Sequence, residues 1–165
     1  MNSFAFDASA LAKHYSLETG ADQVDYLFNQ LTRDRLLCLM FGVAEVVSVL
    51  VRRRNGGVLS QAAFSQGLSN LKAEVLDDDD FSTLPTSNDV ITAALPLIDK
   101  HSLNATDAIV LRVCLDLADL LRTEANDLVL VASDQRLLKA AQAEGLVTYD
   151  PETQPLAELE ALVSA

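Results

Sequence analysis

Apolar residues recur along this chain with two alternating rhythms. SFAF (3–6), RLLCLM (35–40) and DLVLVAS (127–133) are short and dense and read as strands. The last is the clearest, with its branched residues and polar end. STLPTS (82–87) allows a further short strand and VTY (147–149) a final one. Between them the apolar positions fall at helical spacing. Residues 18–32 carry Val24, Leu27, Phe28 and Leu31, and residues 60–76 carry Phe64, Leu68, Leu71 and Val75. Further helices are predicted over 42–54, stopped by NGG, and over 88–101, where Pro96 should kink or split the helix. Others are expected over 104–122 and 134–145, with a tail helix over 154–164. Ser9 is placed to cap a short helix through LAKHY. Strands alternating with helices predict an α/β protein, a three-layer α/β/α sandwich around a central, mostly parallel sheet.

The 165 residues fit a single domain, and a hydrophobic fraction of 50% is enough for a core. The longest apolar run, 36–51, is too short to span a bilayer and contains Glu45. Without a signal peptide at the start, the expected setting is cytoplasmic, with Cys38 and Cys114 as buried thiols. A net charge of -12 points away from a protein that grips nucleic acid by bulk charge alone, so any nucleic-acid chemistry would need local basic patches or metal ions.

Charge matters more where it interrupts the apolar pattern. Parallel sheets bind ligands beyond the carboxyl ends of their strands. Asp7 follows the first strand there, and Asp134 follows DLVLVAS. Glu45 is the only charge in its sixteen-residue apolar run, and Asp107 lies in the first turn of the NATD helix. Each has a structural alternative. Asp7 and Asp134 suit helix starts, and Asp107 can complete a capping box with Asn104. Glu45 is harder to place, because a buried carboxylate without a partner is costly. Four such acids in one crevice would raise one another's pKa unless a cation shared them. Asp77–Asp80 reads as a solvated loop, Asp116 and Asp119 as an exposed helix face, and His14 and His101 as packing or surface residues. No Walker loop, HExxH, paired CxxC or GxSxG is present.

FDASALAKHY, LMFGVAEVVSVLVRR, LNATDAIVL and LVASDQRLLKAAQAEGL resemble, in order, the four motifs of PIN-domain nucleases, in particular VapC-type toxins. The resemblance implies metal-ligating and catalytic roles for Asp7, Glu45, Asp107 and Asp134, with Ser9, Thr106 and Ser133 as polar support. It implies Mg²⁺ or Mn²⁺, ions that suit hard oxygen ligands, and metal-assisted hydrolysis of RNA without a protein nucleophile. Lys13, Arg52, Arg53 and Arg112 are candidates for substrate phosphates or ordinary surface charges. A small antitoxin and a homodimer are the implied partners. The stripes at 24–31 and 60–75 suit either a dimer face or the core. Ala8 and Ala132 stand where many relatives carry small hydroxyl residues, and LLRTEAND looks like an extension between Asp107 and Asp134.

Other readings are a PIN nuclease in RNA processing without an antitoxin, and a non-catalytic binding module. A haloacid-dehalogenase-type phosphatase would need an acid two residues after Asp7, where Ser9 stands. A receiver-type signalling domain fits poorly.

Overall fold

Phe4 and Phe6 point to one face of the first strand and Ala5 to the other, and all three are buried. Every apolar strand position here is used, because helices cover both faces. The computed structural model describes residues 1–165. Its strands are β1 (Asn2–Phe6), β2 (Leu36–Leu39), β3 (Ser82–Leu84), β4 (Asp127–Val131) and β5 (Val147–Tyr149). They form one sheet in the order β3-β2-β1-β4-β5. All four pairings are parallel, with Phe4 opposite Leu36 on one side and Val129 on the other.

The helices are α1 (Ala8–Ser16), α2 (Ala21–Gln30), α3 (Met40–Asn55), α4 (Gln61–Leu71), α5 (Asn88–His101), α6 (Ala105–Arg122), α7 (Gln135–Ala143) and α8 (Leu156–Ser164). Residues of α1–α4 and α8 pack with Phe4, Phe6, Leu36 and Val129 in one core. Residues of α5, α6 and α7 pack with Ala5, Leu37, Leu128 and Leu130 in the other. The architecture is the α/β/α sandwich expected from the pattern.

The chain moves outward from β1 to β2 and β3, then returns to place β4 on the other side of β1. Strand order therefore reverses between β1 and β4. Loops leaving these neighbours turn to opposite faces and open a crevice at their carboxyl ends. Asp7 and Asp134 leave the sheet there.

Several local expectations change. Asp7, not Ser9, caps α1, because the carboxylate accepts the Ser9 backbone N–H. α2 starts only at Ala21, since Gly20 takes a left-handed turn (φ 87°) before it. α3 begins directly after β2, which puts Glu45 in its second turn. Pro96 does not divide α5. It sits on an exposed side, as does Thr92, whose carbonyl loses its helical partner to proline and can turn to water. Lys72–Leu76 forms a π-helical turn at the end of α4. LLRTEAND forms the last turn of α6 and the turn into β4, where Ala125 adopts φ 57°. The stripes at 24–31 and 60–75 enter the core: Val24, Leu27, Phe28, Leu31, Phe64, Leu71 and Val75 are buried. Cys38 and Cys114 are buried thiols in separate cores, pushed up to about 12 by burial. No helix is long and apolar enough to cross a membrane.

Candidate active site

Three of the four acids begin helices, which explains their placement locally. Asp7 accepts both the backbone N–H and the hydroxyl of Ser9 through one oxygen, Oδ2, at 3.0 and 2.6 Å. Asp134 accepts the N–H groups of Arg136 and Leu137 through Oδ1 at 2.8 and 3.1 Å. Asn104 caps α6 by accepting the Asp107 N–H at 2.8 Å, and its amide donates back to Asp107 Oδ2 at 2.9 Å. Each aspartate thus uses one oxygen to fix its own position. The other oxygen has no hydrogen-bond partner in the protein.

Those four acids line one cavity of about 390 Å³. Its wall on α3 is Glu45, Ser48, Val49 and Arg52, positions i, i+3, i+4 and i+7 of a single helix face. Asn104 and Thr106, and Ala8 and Ser9 next to Asp7 in the chain, complete the lining. Ser48 and Val49 escaped sequence reasoning, although their spacing from Glu45 was a usable signal.

The strand exits are tied together by a short relay. The Ser133 N–H donates to Ser9 Oγ at 2.9 Å, and Ser9 Oγ donates to Asp7. On its other side Ser133 Oγ donates to Asp150 at 3.2 Å. Asp150 was also missed. It is buried just beyond β5 and accepts from Gln135 Nε2, the Glu152 N–H and Thr153 Oγ1 at 2.8, 2.9 and 2.8 Å. Burial alone would raise its pKa, but these donors and Ser133 outweigh it and hold the carboxyl below its ordinary value. The turn-forming DPET stretch was the available hint.

Asp107 and Glu45 in the cavity behave oppositely. Burial first, then the charges of Asp7 and Asp134, push Asp107 up to about 6, against the pull of Asn104 and Arg136. Burial, then Asp7 and Asp107, raise Glu45, while Thr106 and Arg52 work the other way. Ionised carboxylates are therefore crowded here without enough internal neutralisation.

The donor set suits a hard divalent cation, because it offers carboxylate oxygens that lack partners. No three acids stand together as a preformed cage for an ion. Mg²⁺ commonly manages with one or two carboxylates and several retained waters. The oxygens of Asp7, Asp107 and Asp134 that lack protein partners, together with the carboxylate of Glu45, are the donors available to such an ion.

Of the four basic candidates, the structure brings only Arg52 to the cavity. Lys13 is buried and paired with Glu152 and Glu18, and Arg53 pairs with the same Glu18. Arg112 is bound to Asp116 one turn along α6. Their charge is absorbed within the fold. In the acidic run 77–80, Asp77 and Asp78 pair with Lys72 and Arg33. His14 stacks on Phe28 with ring centres 4.1 Å apart and bonds Asp25, while His101 bonds Glu144.

The PIN domain family model matches residues 4–143. Among solved structures, PAE2754 from Pyrobaculum aerophilum is similar in fold, with a TM-score of 0.63 and 23% identity over 98% of this chain and 99% of that one. FitAcB from Neisseria gonorrhoeae gives a TM-score of 0.56 and 12% identity over 92% of this chain and 99% of its own. No curated protein matches. The acid-lined crevice at the strand reversal thus lies within the matched span, and the chain belongs to the PIN domain family.

Proposed function

We propose that the nuclease chemistry implied by the PIN domain is, in this chain, metal-dependent endonucleolytic hydrolysis of RNA, in the role of a toxin paired with an antitoxin. The observation that carries the chemistry is the cavity itself. Four acids from four separate segments line it, and three of them keep an oxygen free of internal bonds. When bound, Mg²⁺ or Mn²⁺ supplies water activation and neutralises charge on the phosphate oxygens.

The chain's own residues divide the remaining work. Asp7, Glu45, Asp107 and Asp134 hold the ion and are the catalytic residues of this reading. Ser9 fixes Asp7, and Ser133 holds Ser9. Thr106 lines the wall beside Asp107, and Arg52 meets a substrate phosphate. No side-chain nucleophile is required. Unstacked, single-stranded loops are the expected RNA substrate, because their phosphates can enter a confined cavity. The toxin role, the small antitoxin, a homodimer and a cytoplasmic setting rest on the resemblance of the four motifs to VapC-type toxins.

The test is cleavage of a mixed RNA pool by wild type and Asp107→Asn, with Mg²⁺, Mn²⁺ or chelator. Wild type should cleave with either metal and lose activity in chelator, and the variant should be inactive throughout. Absence of cleavage together with absence of any metal-induced shift in melting temperature would sink the nuclease reading.

A further inference from the structure

The twelve Lys and Arg side chains serve a chain of net charge -12, so cations without internal partners are scarce. Nine of the twelve are engaged by acids, backbone carbonyls or an aromatic ring. The remaining three are Arg52, Arg136 and Lys139, and they are not scattered. Arg52 lines the acid cavity. Arg136 and Lys139 lie on α7, whose N-cap, Asp134, lines the same cavity.

Their positions on α7 are unfavourable for the helix. They are three residues apart, so two like charges share a face. Arg136 stands in the first turn, where the helix dipole disfavours a cation. Their i+4 neighbours are Ala140 and Ala143, and the i−4 neighbours are Ala132 and Gln135, so α7 offers neither an acid at that spacing. The opposite face, Leu137, Leu138, Ala140 and Ala141, is buried in the core, which leaves Arg136 and Lys139 directed outward and exposed. Lys139 lies about 7 Å along the helix from Asp134. Arg136 stands two residues beyond Asp134, which lines the cavity, yet its side chain bonds to no acid.

We propose that Arg136 and Lys139 form a second stretch of the substrate surface, so that a single RNA strand runs from Arg52, over the acids, onto the exposed face of α7. This rests on the nuclease reading above. Phosphates supply the counter-charge that the protein withholds from these side chains. The acids then cut a strand held on both sides of the cavity.

The test compares Arg136→Gln/Lys139→Gln with Lys72→Gln/Lys100→Gln, which removes the same charge from cations already paired elsewhere. Binding of a fluorescent single-stranded RNA is measured against salt with each double placed in an Asp107→Asn background. Each lost phosphate contact should lower the slope of log affinity against log salt by about 0.7. The α7 double should therefore lose about 1.4 of slope. The control should lose none, and the melting temperature of the α7 double should not fall. Equal slopes and affinities for the two doubles would overturn the α7 surface alone. If wild type neither cleaves RNA with metal nor binds it, the nuclease reading falls and takes this surface with it.

Discussion

Asp7, Asp107 and Asp134 each divide two oxygens between a local bond and the cavity, and the two uses can be separated experimentally. Asp134→Ala and Asp134→Asn both remove the charge, but Asn still caps α7. Chemical denaturation should therefore show the Ala variant about 1 kcal/mol less stable than the Asn variant. Equal stabilities would mean that the cap contributes nothing. Asp107 supplies a pH signature. Its folded value of about 6 lies above its ordinary 3.8, so the folded state holds a proton there that the unfolded chain releases. The stability this group contributes is complete below pH 3.8 and declines as the pH rises to about 6. Metal-free wild type should lose stability relative to Asp107→Asn across that interval in thermal melts. A constant difference between the two would refute the crowding of charge. Most of these residues were legible in the sequence because each acid stands where an apolar pattern breaks. The roles of Lys13 and Arg53 were not, since Glu152 lies far from Lys13 in the chain and Glu18 far from Arg53, whereas the pairing of Arg112 with Asp116, one turn along the same helix, was readable from their spacing.

At the scale of elements, the turn after β5 has more influence than its length suggests. Asp150 gathers the Ser133 and Thr153 hydroxyls, the Gln135 amide and the Glu152 N–H. Asp150→Ala leaves these donors without their acceptor and should cost about 2 kcal/mol or more in urea denaturation. Unchanged stability would show that water replaces the carboxylate. Next to it, Gly20 approaches the same turn. A Cβ on Gly20 would lie 2.7 Å from the Pro151 carbonyl oxygen, and φ is 87°. Gly20→Ala should lower stability by more than about 1 kcal/mol, readable as a lower urea midpoint. Helix and strand identities were readable from their periods, but ends were set by features without a period. α2 begins after a left-handed glycine, α3 begins with no loop, and Pro96 is tolerated where Thr92, whose carbonyl it orphans, is exposed.

For the whole molecule, the alternation of strands and helices pointed to a parallel sheet, but strand order is a property of chain crossings and was not legible. That order makes β1 and β4 neighbours and so joins Asp7 to Asp134, although most of the chain lies between them. With no three-acid cage in place, the protein alone should hold metal weakly and gain ligands from the substrate phosphates. Calorimetry should show Mn²⁺ binding more tightly to wild type once a non-cleavable RNA analogue is present. Equal affinity with and without the analogue would argue for a complete protein-only site.

The double duty of the acids also constrains descent. A lineage that abandons the chemistry still needs caps at the starts of α1 and α7, where Asn and Ser serve nearly as well as Asp and aliphatic residues do not. Drift at positions 7 and 134 should pass through Asn or Ser before anything else. A relative carrying Asn at both would be a molecule that kept its shape after giving up its reaction.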